Sequence, residues 1–139
     1  MQFTGGAQTR EQTAARLQSM LTRSGQNGFG LYATVLTSTD ELIGRCGFIP
    51  WQIEGRDEIE VAWLLARAHW GRGLATEAAS ALVRHGFATL RFTRLISLIH
   101  PANTASLNVA RKIGMPFERE VVVMDTRVRL FGLTPGPVG

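Results

Sequence analysis

Apolar and polar positions change their period several times along the chain, and each change marks an element. Thr9 and Gln12 form a capping-box pair, and Ala14, Leu17, Met20 and Leu21 follow at helical spacing. This predicts a first helix ending near Ser24 and Gly25. Residues 29–36 are rich in β-branched and aromatic side chains and read as a strand. Thr37, Ser38, Thr39 and Asp40 then turn the chain into a second strand over 42–49. Residues 50–56 read as a loop and 57–66 as a third strand. Over 73–90 the period becomes helical, with Leu74, Ala78, Leu82 and Phe87 on one broad inner face. The apolar run 94–99 reads as a buried strand stopped by Pro101. Asn103 can cap a helix over 104–113, with Leu107 and Ala110 on one side and Gly114 as its stop. Residues 117–124 and 127–133 close the chain as a hairpin.

The order is helix, three strands, helix, strand, helix, two strands. It describes a mixed α/β domain with a meander-like start and a later β-α-β crossover. No repeat, linker or low-complexity tract divides the 139 residues, so a single domain over 1–139 is expected. Hydrophobic residues make up 45% of the chain, enough for one packed core. The single cysteine, Cys46, has no internal disulfide partner, which fits a reducing compartment. The first ten residues lack the apolar core of a signal peptide, and no apolar run reaches the ~20 residues that span a bilayer. A cytoplasmic protein without membrane contact is the expectation. The net charge is +4, but the arginines are scattered and no basic–aromatic interleaving appears. A solvated arginine-rich surface is therefore expected, and nucleic acid is not.

The run from Trp70 to Ala78, Trp-Gly-Arg-Gly-Leu-Ala-Thr-Glu-Ala, joins the third strand to the long helix. Gly71 and Gly73 let the backbone approach a ligand closely, and no carboxylate intervenes before Glu77. The first amides of a helix lack intrahelical partners and attract phosphate. A phosphorylated cofactor is the first hypothesis. A Rossmann fingerprint fails, because Thr76 stands at the third glycine and no acid lies in 94–100. A P-loop fails for want of Gly-Lys-Ser/Thr. His69, His85 and His100 have no metal-ligand spacing, so no metal is expected.

Three motifs in order resemble the GNAT acetyltransferase superfamily, and most closely its ribosomal-protein N-terminal acetyltransferase branch. Glu60-Val61-Ala62-Trp63-Leu64 resembles the central strand, and the run from Trp70 to Ala78 resembles the pyrophosphate loop. Asn103-Thr104-Ala105-Ser106 with Lys112-Ile113-Gly114-Met115 resembles the late helix. The resemblance implies a mixed, mostly antiparallel sheet flanked by helices, with the central strands splayed. It also implies acetyl-CoA as cosubstrate and an amine acceptor: a peptide N-terminus, a small amine or an aminoglycoside-like compound. Trp63, Leu64 and Leu65 would offer backbone groups to the pantetheine arm. Trp70, Gly71, Arg72, Gly73, Leu74, Ala75 and Thr76 would surround the pyrophosphate, with Trp70 standing where many relatives carry Gln or Arg. Asn103 matches the residue that bonds the arm.

By the same resemblance Glu60 is the general base, taking a proton from the amine directly or through water. Ala110 occupies the place of the tyrosine with which many relatives protonate the thiolate. Ser106 matches a serine used by some members of the branch, and solvent is the other source. Plainer readings stand beside these. Glu60 can be a surface carboxylate paired with Arg67 or Arg56, Asn103 a helix cap, and Ser106 a first-turn residue. Cys46, Trp51 and Trp63 fit a core, although Trp51 can also line an acceptor entrance, and His100 fits a strand end.

Relatives carry a further strand and helix before the segment that opens this chain, so the domain is read as N-terminally shortened. A reading frame that starts further upstream, a more open acceptor site and a partner chain in the gap all account for this. A homodimer is the expectation among them. The alternative to an enzyme is a catalytically silent acyl-CoA-binding module.

Overall fold

The computed structural model describes residues 15–19, 30–36, 39–66 and 73–135. Within them, seven strands form one sheet: β1 (Ala15–Ser19), β2 (Leu31–Leu36), β3 (Leu42–Ile53), β4 (Arg56–Leu65), β5 (Leu95–Ile99), β6 (Phe117–Val123) and β7 (Thr126–Leu133). Helix α1 (Leu74–Ala88) connects β4 to β5, and α2 (Thr104–Lys112) connects β5 to β6. The spatial order is β1-β2-β3-β4-β5-β7-β6. Neighbours run antiparallel except β4 and β5, which run parallel because a helical crossover joins them.

Alternation along the strands gives the sheet two buried faces. On one, Phe48, Val61, Trp63, Leu95 and Ile99 meet Ala78, Ala79 and Leu82 of α1 and Val109 and Ala110 of α2. The small residues of α1 let it lie close to the sheet, and a Cβ at Gly86 would already crowd Phe48, Phe92 and Leu95. The second face gathers Ile53, Ile96, Val121 and Leu130, with Trp51, Leu98, Val123 and Val128 packed around them. Gly44 on β3 leaves no room for a side chain, because its Cβ would meet the carbonyl oxygen of Leu64 on β4.

Two expectations are corrected. The first helix is not formed over 15–19, where the chain is a strand paired antiparallel with β2, from Ala15 opposite Leu36 to Ser19 opposite Tyr32. Helix propensity is worth only ~0.7 kcal/mol or less per ordinary residue, and pairing with the edge of β2 outweighs it. The remainder of that predicted helix lies outside the described residues. The predicted loop 50–56 is also mostly strand, because β3 continues to Ile53. Pro50 lacks an N–H, but Trp51 and Ile53 keep the alternation going and pack on the second face. Only Glu54 and Gly55 turn, both with positive φ (54° and 79°), as in a tight two-residue hairpin.

Candidate active site

The parallel pair β4/β5 is joined at one register position, Glu60 opposite Ile96. Past it the ladder stops, and side chains take over the backbone groups. The Ser97 hydroxyl donates to the Val61 carbonyl at 3.2 Å. The Leu98 N–H donates to Oε2 of Glu60 at 3.1 Å, where a continued ladder would offer a backbone carbonyl. The indole N–H of Trp51 donates to the other oxygen, Oε1, at 2.9 Å. Glu60 thus bridges three strands at the point where two of them part, and the splay expected from the sequence is present.

Between the parted strands and the two helices lies a cleft of about 570 Å³. Trp63, Leu64 and Leu65 form one wall, and Gly73, Ala75 and Thr76 sit at the start of α1. Asn103, Ser106, Val109 and Lys112 of the α2 segment face them. A smaller notch of about 100 Å³ joins Glu60 to Trp63, Leu64, His100, Asn103 and Ser106. Glu60 and Ser106, far apart in sequence, therefore border one space. Leu74 is the exception on α1, since its side chain is buried against Leu36 and Ile43 and only its backbone faces outward chemistry. Trp70, Gly71 and Arg72 lie outside the described residues.

The local geometry explains each placement. Gly73 has φ 76°, in the left-handed region that favours glycine, and open space surrounds its missing Cβ. It caps α1 without a side chain; the first bond inside the helix runs from the Glu77 N–H to the Gly73 carbonyl. The amides of residues 74–76 precede that bond, at the positive end of the helix dipole. Asn103 accepts the Ser106 N–H at 3.1 Å, so it is the helix cap, and its side-chain NH₂ remains to donate. His100 accepts the Ala102 N–H at Nδ1, which leaves Nε2 to carry the proton of the neutral ring.

Electrostatics separates the base candidate from the thiol. Burial pushes the Glu60 carboxyl above its ordinary range, while the donors Trp51 and Leu98 pull it back. Glu60 is 9% exposed and takes its bonds from Trp51 and Leu98, with none from Arg56, so it is not a surface carboxylate; Arg67, the other partner considered, lies outside the described residues. Cys46 is fully buried, and burial raises its thiol, so it belongs to the core. Among the described residues no group of His, Cys, Asp or Glu could hold a metal ion, and no helix is long and apolar enough to cross a membrane.

The cleft fits a nucleotide thioester on chemical grounds. The buried indole N–H of Trp63 has no acceptor among the described residues. An unsatisfied buried donor of this kind costs about 1–3 kcal/mol, and a ligand carbonyl would relieve it. Helix amides at one end and Lys112 on the facing wall suit phosphate. Sequence reading gave Lys112 no phosphate role, and it read Trp51 as core or acceptor entrance, not as a partner of Glu60. Lys112 shares a helix stripe with Ser106 and Val109 at a spacing of three, a signal that was available. Trp51 gave no such signal, because its partner is nine residues away across a hairpin.

Residues 1–116 match the acetyltransferase (GNAT) domain family. The protein YkkB of Bacillus subtilis is 40% identical over 94 residues, covering 68% of this chain and 55% of its own length. The N-acetyltransferase p20 of Bacillus licheniformis is 36% identical over 95 residues, covering 68% of this chain and 51% of its own. The chain thus spans about half the length of these curated relatives. An acetyltransferase crystal structure from Agrobacterium tumefaciens superposes with a TM-score of 0.71 at 31% identity. That match covers 84% of this chain and 67% of the other.

Proposed function

The chain belongs to the GNAT acetyltransferase family, and from that premise we propose that it transfers acetyl from acetyl-CoA to a primary amine with Glu60 as general base. The observation that carries the reading is the position of Glu60. It is a buried carboxylate, held by two donors, at the inner end of a cleft whose outer end has helix amides and a lysine.

The thioester supplies an activated acetyl group when bound. The start of α1 and Lys112 hold its phosphates, and the β4 edge at Trp63 and Leu64 with the Asn103 amide orients its arm. Glu60 takes the proton that the amine loses as its nitrogen bonds to the acetyl carbon, and the raised affinity of a buried carboxyl for protons suits that task. The C–S bond breaks, and the departing sulfur takes a proton from the Ser106 hydroxyl or from water. A backbone N–H of β4 meets the carbonyl oxygen as charge grows on it. The motif resemblance makes a peptide N-terminus one acceptor class and a small amine the other.

Titration calorimetry with acetyl-CoA, followed by thiol release over a panel of alanyl peptides and small amines, tests this. The parent chain should bind and turn over at least one amine. Glu60→Gln should bind equally and lose ~10²-fold or more in turnover, the usual worth of a positioned base. Ser106→Ala should slow turnover without changing binding. Binding with no turnover on any amine would instead assign a silent acyl-CoA-binding module.

A further inference from the structure

Among the described residues one side chain donates a hydrogen bond to Glu60, and it is Trp51. The indole lies on β3, crossing to β4 nine residues later, and packs beside Ile53 and Ile96 on the second face of the sheet. It is half-buried, lies on the side of β4 away from β5, and lines neither the cleft nor the notch. An indole N–H only donates, so it bonds the ionised carboxylate more strongly than the neutral acid, whose oxygens are weaker acceptors. The Leu98 N–H holds the second oxygen from the opposite strand.

We infer that Trp51 is a positioning residue for Glu60, fixing the carboxylate across the strand junction and favouring its ionised form for proton transfer. This rests on the reading of Glu60 as the base. Among the described residues no other side chain hydrogen-bonds Glu60. Glu58, on the same face of β4, is engaged by Arg94. Glu54, in the β3–β4 turn, is paired with Arg119 of β6. His100, at the end of β5, bonds the Ala102 amide. The α2 residues that border the notch, Asn103 and Ser106, carry no charge. None of these groups hydrogen-bonds Glu60. Burial pushes its carboxyl up and the two donors pull it down, so deleting one donor has a defined sign.

The test is carboxyl-¹³C NMR of the whole chain, with Trp51→Phe as the main variant. A second variant carries benzothienylalanine at 51, which replaces only the N–H by sulfur and so preserves the packing. In the parent, the Trp51 indole proton resonance should shift with the same midpoint as the Glu60 carboxyl. In both variants that midpoint should rise by about one pH unit, a tenfold change in the ionisation constant. With the fastest amine of the panel, the rising acid limb of kcat/KM should move up by the same amount, while the acetyl-CoA dissociation constant stays unchanged. A Glu60 midpoint that stays put in the benzothienylalanine chain overturns the inference while leaving the base assignment intact. A midpoint that moves while Glu60→Gln retains full turnover overturns the base assignment, and the catalytic role of Trp51 falls with it.

Discussion

Glu60 and Gly73 show how single positions carry opposite kinds of strain. Glu60 binds its proton more tightly folded than unfolded. Its contribution to stability is therefore complete below the unfolded carboxyl value and is lost as pH rises through the folded one. Chemical denaturation across pH should show this loss in the parent and not in Glu60→Gln. Gly73 has φ 76° with no neighbour near its missing Cβ, so a side chain there meets backbone strain but no clash. Gly73→Ala should lower stability by about 1–2 kcal/mol and keep acetyl-CoA binding. Gly73→Glu should cost a similar amount of stability and abolish binding, because it sets a carboxylate where phosphate belongs; unchanged affinity in calorimetry would remove the phosphate site. Both residues were legible in the sequence, Glu60 through its strand motif and Gly73 through the turn. Trp51 was not, because a hydrogen bond across a hairpin leaves no local period.

Elements divide into those whose ends were written in local chemistry and those decided by neighbours. The start of α2 was readable because Asn103 is a cap that acts on the next turn. The β6–β7 turn was readable as a hairpin, but not its strain: Met124 and Asp125 take φ of 52° and 64°, which Asp tolerates and Met disfavours. Met124 is 82% exposed. Met124→Gly should therefore raise stability by about 1 kcal/mol, measurable as a shift in urea midpoint. The strand at 15–19 and the extension of β3 to Ile53 were misread because sheet pairing overrode propensity and Pro50. Near the start of β4, Arg94 joins the buried Glu58 at 3.0 Å and Glu118 of β6 at 2.7 and 2.8 Å. Gly132 leaves the space that this triad fills. Arg94→Met should cost about 2 kcal/mol, between an exposed and a buried pair. Arg94 holds Glu118 below the usual carboxylate range. That part is present above the unfolded value and is lost as pH falls through the folded one, so parent and variant should converge in acid.

At the scale of the molecule, the single parallel junction was legible from the β-α-β crossover in the element order, whereas the strand order was not, since β1 was read as helix and β7 lies between β5 and β6. The cleft volume and the second buried face were not, since both depend on how side chains from distant strands meet. β6 is an edge strand, and Val122 on it is 66% exposed. Unpaired strand edges template association, so we propose a homodimer through this edge, which lies open among the described residues. Sedimentation equilibrium should give twice the chain mass, and Val122→Lys should return it to one; a monomeric parent would end that expectation. The absent side chain of Gly44 reaches further than its own strand. Leu64 presses its carbonyl into that vacancy from the front while lining the cleft on the other side. A methyl group at 44 would press on that carbonyl, so a residue that does not line the cleft sets where one of its walls can stand.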